Sequence, residues 1–115
     1  MKRAITLLAT VATLASATAA QAAEHTILIL PDAYFPAVTY VNDGDTVRFN
    51  NQSGAQHTII AKNNSWELGP ITNGATVSLQ FNKGDQNEFY NKNAKDSEGN
   101  YVVVGTVSFA TAPLN

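Results

Sequence analysis

His25 and His57 are the only histidines in the chain, and no cysteine accompanies them. Imidazole serves as a metal ligand, a general base or a proton shuttle. His57 lies between Gln56 and Thr58, and Asn91 and Glu67 offer oxygen donors elsewhere in the chain. One reading of this set is a Cu(II) or Zn(II) ligand helped by those oxygens. The other is a part-buried histidine whose ring nitrogens bond to neighbouring backbone and hold a strand edge. A lone imidazole with amide or carboxylate helpers binds metal weakly beside a multi-histidine site, which favours the second. Hydrolase chemistry would have to pair His57 with Ser53 or Ser65, and nothing in the sequence places an orienting carboxylate. G-x-S-x-G, a phosphate-cradling glycine loop and H-E-x-x-H are absent, so no enzymatic activity is expected. Trp66, Tyr34, Tyr40, Tyr90 and Tyr101 offer stacking surfaces for a sugar or a partner protein. In a small domain such rings are more often core or rim.

What His25 can do depends on where the working chain begins. Met1, Lys2 and Arg3 form a positive start, and residues 4–14 an apolar stretch too short to span a bilayer. Ala20-Gln21-Ala22 then reads as an A-x-A cleavage signal. Residues 1–22 are expected to be a secretory signal peptide and residues 23–115 a single domain, periplasmic or secreted. Export takes 22 of 115 residues and leaves 93; loss of Lys2 and Arg3 leaves five cations against nine carboxylates, a net charge of −4. Met1 is the only methionine, so the processed domain contains no sulfur. That excludes disulfides, thiolate and thioether metal sites, iron–sulfur clusters and cysteine catalysis. The acidic balance disfavours nucleic acid, and no second apolar stretch of spanning length follows the first.

Cleavage after Ala22 exposes Ala23-Glu24-His25, a free amine with histidine in third place. This resembles the amino-terminal copper- and nickel-binding motif. There the amine, two deprotonated backbone amides and the imidazole supply four nitrogens in a plane, the tetragonal geometry Cu(II) favours. Alternatively, His25 is simply the first residue of an edge strand.

The elements that must carry these residues are short and β-like. Residues 26–30 form an apolar run stopped by Pro31-Asp32. Residues 37–41, 46–50 and 57–61 follow, with Val47 and Phe49 on one face and Arg48 on the other. Residues 63–69 read as an irregular crossing loop carrying Trp66, and residues 76–81 alternate cleanly. Residues 88–90 are a short strand, 91–100 a polar loop, and 101–110 a closing strand with Val103, Gly105, Val107 and Phe109 on one face. No segment has a period of 3.6. Seven to eight short strands separated by Gly/Asn/Asp turns predict an all-β, antiparallel Greek-key sandwich.

The order of these segments resembles the cupredoxin family of plastocyanins, pseudoazurins and amicyanins. The residues that carry the likeness are Phe35-Pro36-Ala37-Val38-Thr39-Tyr40-Val41, Asp43 through Asn51, and His57-Thr58-Ile59. Further along they are Gly74 through Phe81, Gly84 through Phe89-Tyr90, and Val103 through Phe109. The family holds copper with two imidazoles, one thiolate and a weak axial thioether. The resemblance puts the first histidine at His57, but the cysteine position at Asn91, the second histidine at Ala94 and the axial methionine at Val103. The loop between them is lengthened and carries Lys92, Lys95, Asp96 and Glu98. No alignment shift restores the site, because no cysteine, methionine or third histidine follows Met1.

The expected function is therefore an exported cupredoxin-like binding module without a type 1 copper centre, acting on a periplasmic protein partner or on labile copper. The alternative is a Cu(II) carrier or accessory using His57 or Ala23-Glu24-His25, with one ion bound without thiolate; no other cofactor is expected. A small electron-transfer protein, as the resemblance alone implies, ranks third. A tetragonal nitrogen or nitrogen/oxygen site favours Cu(II) too strongly for easy redox cycling. The two histidines are not expected to share an ion, since a strand of about six residues at about 3.3 Å each separates the ends of such a sandwich by roughly 20 Å.

Overall fold

The computed structural model describes residues 22–114, so the signal-peptide expectation for residues 1–22 lies almost wholly outside the described residues. Nine strands follow one another without a helix among the described residues: β1 (Glu24–Ile29), β2 (Tyr34–Phe35), β3 (Val38–Tyr40), β4 (Thr46–Asn51), β5 (His57–Ala61), β6 (Glu67–Ile71), β7 (Thr76–Gln80), β8 (Glu88–Asn91) and β9 (Val104–Ser108). They form a four-stranded sheet in the order β2-β1-β4-β7 and a five-stranded sheet in the order β3-β9-β8-β5-β6. Ile27 and Ile29 of β1 and Val47 and Phe49 of β4 meet Ile59 of β5, Phe89 of β8 and Val107 of β9 in one buried cluster between the sheets.

The all-β reading holds with nine strands in place of the expected seven to eight, and its detail changes in three further ways. The sheets are mixed rather than antiparallel: β1 runs parallel to β4 and β3 parallel to β9. The intervening β3 belongs to the other sheet, so the chain returns beside β1 without a hairpin reversal. Residues 67–69, expected inside the crossing loop, form edge strand β6 together with a cis Pro70 and Ile71. An edge position tolerates a residue without an N–H. The closing strand is confined to Val104–Ser108: Val103 O still accepts the Asn91 amide of β8, but the Val102 amide turns to Ala94 O in the preceding loop.

Aromatic rings fill the centre. Phe89 lies edge-on to Tyr34 at 4.9 Å and to Phe49 at 5.3 Å between ring centroids, spacings typical of favourable aromatic pairs. Gly105 on β9 faces these rings, and a β-carbon there would overlap Phe89 Cε2 and Cζ and stand 3.0 Å from Tyr34 Cδ2. Its inward face follows the strand alternation; the ring above it is the reason no side chain fits.

Candidate functional site

The positions that the family likeness assigns to copper ligands do gather at one end of the fold. Asn91 ends β8 opposite Ile59, its amide donates to Val103 O, and the Ala94 amide donates back to Asn91 O. The Lys92 amide donates to Thr58 O, which brings the loop beside His57. What they present is not a coordination sphere. Val103 is buried and Ala94 packs on the core. The Asn91 side-chain oxygen accepts the Asn93 amide at 3.0 Å and organises its own turn. Glu67, the carboxylate suggested as a helper, is paired with Lys92.

His57 itself is only 3% exposed. Its Nε2 is hydrogen-bonded to the Tyr34 hydroxyl at 2.8 Å, and the two rings meet edge-on at 5.5 Å. The partner is thus a side chain on β2 of the opposite sheet, not neighbouring backbone. Gly69 lets β6 press against this point: a β-carbon there would lie 2.9 Å from His57 O, and its φ of 125° suits glycine. Burial lowers the His57 pKa below the ordinary imidazole value and pushes the Tyr34 hydroxyl well above that of free phenol, so both are neutral at pH 7. A neutral, buried, hydrogen-bonded pair bridging two sheets is a structural clasp.

His25 stands at the other end. It is the second residue of β1, opposite Val47, in a strand that lies between β2 and β4 rather than at the sheet edge, whereas Tyr34 pairs with Ile29 four residues further along, a rise of about 13 Å. His25 Nε2 lies 2.9 Å from Asp45 Oδ2. The other carboxylate oxygen, Oδ1, accepts the Ala23 backbone N–H at 2.9 Å, and Oδ2 also accepts the Asn42 N–H at 2.8 Å. These bonds, led by the Asn42 amide and then the His25 side chain, hold the Asp45 carboxyl below its ordinary pKa. Ala23 is pinned from the other side as well, where its carbonyl accepts the Thr46 amide at 3.0 Å. Asp45 is 3% exposed, while the His25 side chain keeps 27%.

The aromatic residues separate by role. Tyr34 is core, and Trp66 is half-buried, edge-on to Phe81, with its indole N–H donated to Gln86 O at 3.0 Å. Tyr90 and Tyr101 stack at 4.7 Å and 8° on the outside of the five-stranded sheet, with Lys95 4.8 Å above the Tyr101 ring. Tyr34 and Asp45 are the residues that reading the sequence missed as site partners. Neither carries a spacing signal toward its histidine, since they lie 23 and 20 positions away and are joined only by strand pairing. Among the described residues no three His, Cys, Asp or Glu side chains converge. In comparisons with known proteins, no family model and no curated protein matches this chain.

Proposed function

We propose that the chain is an exported, non-enzymatic binding module of cupredoxin type whose blue-copper end has become structural. The observation that carries this reading is the state of the four ligand positions. One holds an imidazole clasped to Tyr34, one a carboxamide used by its own turn, and two hold apolar side chains in the packing. Taking His57 into a metal site would mean breaking a buried hydrogen bond without gaining a second strong donor.

Function then falls to the surface. Phe89 and Val107 point inward, so their neighbours face out. Glu67, Ile60, Tyr90 and Val104 form a row across β6, β5, β8 and β9, each opposite the next. Tyr101 stacks on that row, and Val102 and Val104 are exposed beside it at 57% and 40%. Aromatic and aliphatic side chains ringed by paired charges (Lys92–Glu67, Lys62–Glu88) have the composition of a protein-docking face. A photo-crosslinking residue at Tyr101, compared with one at exposed Ser78 on the other sheet, tests this in the native periplasm. A discrete adduct from position 101 alone supports the reading. Equal adducts, or none, or an intense thiolate-type visible band in protein isolated untouched, would overturn it. A second reading, Cu(II) carriage at the amino terminus, is favoured by the meeting of Ala23, His25 and Asp45.

A further inference from the structure

We propose that the processed chain binds one Cu(II) through the Ala23 amine, His25 Nε2 and the Asp45 carboxylate, at the end of the sandwich opposite His57. The proposal rests on the second reading above and on cleavage after Ala22. It differs from the four-nitrogen motif that the sequence suggests in its donors, and the fold is what selects between them.

The four-nitrogen arrangement needs the Glu24 and His25 backbone amides as deprotonated ligands. Here both residues belong to β1, which pairs along its whole length with β4, and the His25 amide is the one that faces β4. Thr46 donates to Ala23 O with Glu24 opposite Thr46, so the next rung of this parallel ladder is the His25 amide donating to Thr46 O. Stripping that amide opens the sheet at its first turn of pairing. The imidazole also presents the wrong atom. A chelate ring closed with the residue's own amide uses the nearer nitrogen, Nδ1, but Nε2 is the atom turned to Asp45.

The carboxylate offers a site that leaves the ladder intact. Ala23 N and His25 Nε2 each stand 2.9 Å from an oxygen of the same Asp45 group. Two ligands held cis on one metal with bonds of about 2.0 Å are about 2.8 Å apart. Each of these two nitrogen-to-oxygen spacings is that of a cis pair of ligands, and because the nitrogens meet different oxygens, a single ion would draw on both oxygens of Asp45. Cleavage supplies the missing chemistry by turning the Ala23 amide into an amine with a free lone pair once its proton leaves. The Asn42 N–H on Oδ2 holds the carboxylate in place, much as outer-shell partners orient metal ligands. An amine, an imidazole and a carboxylate, completed by water from the exposed side, suit Cu(II), which also leads the divalent series in affinity.

The test is a titration of copper sulfate into protein beginning at Ala23, read by electron paramagnetic resonance and by competition with a chromophoric chelator. The expected result is one Cu(II) per chain with two nitrogen and the rest oxygen ligands. H25A removes the signal, and D45N weakens binding at least tenfold. A variant with one glycine ahead of Ala23 keeps every side chain and also loses at least tenfold, which guards against misfolding of D45N. A four-nitrogen spectrum indifferent to D45N overturns the proposal and leaves copper carriage standing. No stoichiometric binding, or a native terminus other than Ala23, overturns both. The crosslinking result at Tyr101 is independent of either outcome.

Discussion

Replacing Tyr34 with phenylalanine removes one oxygen and leaves both rings in place. His57 Nε2 then loses its 2.8 Å partner inside a residue that is 3% exposed. A buried polar atom deprived of its hydrogen bond costs about 1–3 kcal/mol. For a domain of this size that lowers the midpoint of thermal unfolding by roughly 4–8 °C per kcal/mol. The assay is urea unfolding at pH 7.5, followed by Trp66 fluorescence and by circular dichroism, with equal slopes expected for wild type and variant. A double-mutant cycle with His57→Leu isolates the pair. Removing both polar partners restores part of the stability lost by Y34F alone, because no orphaned nitrogen is left. A loss under about 0.5 kcal/mol for Y34F, or strictly additive single effects, refutes the clasp.

The same pair sets a pH dependence. The His57 pKa is lowered by burial, so below the unfolded value of about 6.5 the unfolded chain binds a proton that the folded chain refuses. This contribution is complete above that pH and declines as pH falls toward the folded value, with a limiting slope of about 1.4 kcal/mol per pH unit. Urea midpoints measured from pH 7.5 down to 5 show the decline in wild type and lack this component in His57→Leu. Gly105→Ala drives a β-carbon into Phe89, a ring held on two sides by Tyr34 and Phe49. Overpacking of this kind costs about 1–3 kcal/mol, so the variant unfolds at lower urea, and an unchanged midpoint would mean that the ring moves aside freely.

Alternation made the main strands legible. Period alone puts Val47/Phe49 and Val103/Gly105/Val107/Phe109 on common faces; Val47, Phe49, Val103 and Val107 are buried, Gly105 lies under Phe89, and Phe109 packs partly buried against the core. Strand β6 was not legible, since Leu68-Gly69-Pro70 reads as a break and becomes a strand only by lying on the edge of a sheet. The two-residue β2 is also too short for any period and is defined by its pairing with Leu28 and Ile29. Parallel pairing is a property of the route between strands rather than of any segment, and so leaves no local trace. The histidines show the same division. Their residue types and the lack of sulfur limit the chemistry from the sequence, but the partners that decide their use, Tyr34 and Asp45, arrive by long-range pairing.

The contrast between those partners sets what a metal ion would cost at each end of the fold. A metal drawn to His57 must first displace the Tyr34 hydroxyl, at about 1–3 kcal/mol, which is about a 5- to 150-fold penalty in affinity. Tyr34 offers no compensation as a ligand, because burial holds its hydroxyl protonated. At His25 the hydrogen-bond partner is a carboxylate already held in its charged form by the Asn42 amide, and a carboxylate is itself a ligand. Breaking the His25–Asp45 contact to admit a cation exchanges one favourable interaction of the same two atoms for another. On the proposed reading, the clasped histidine serves the fold, and the one bound to a carboxylate is where a metal ion is expected.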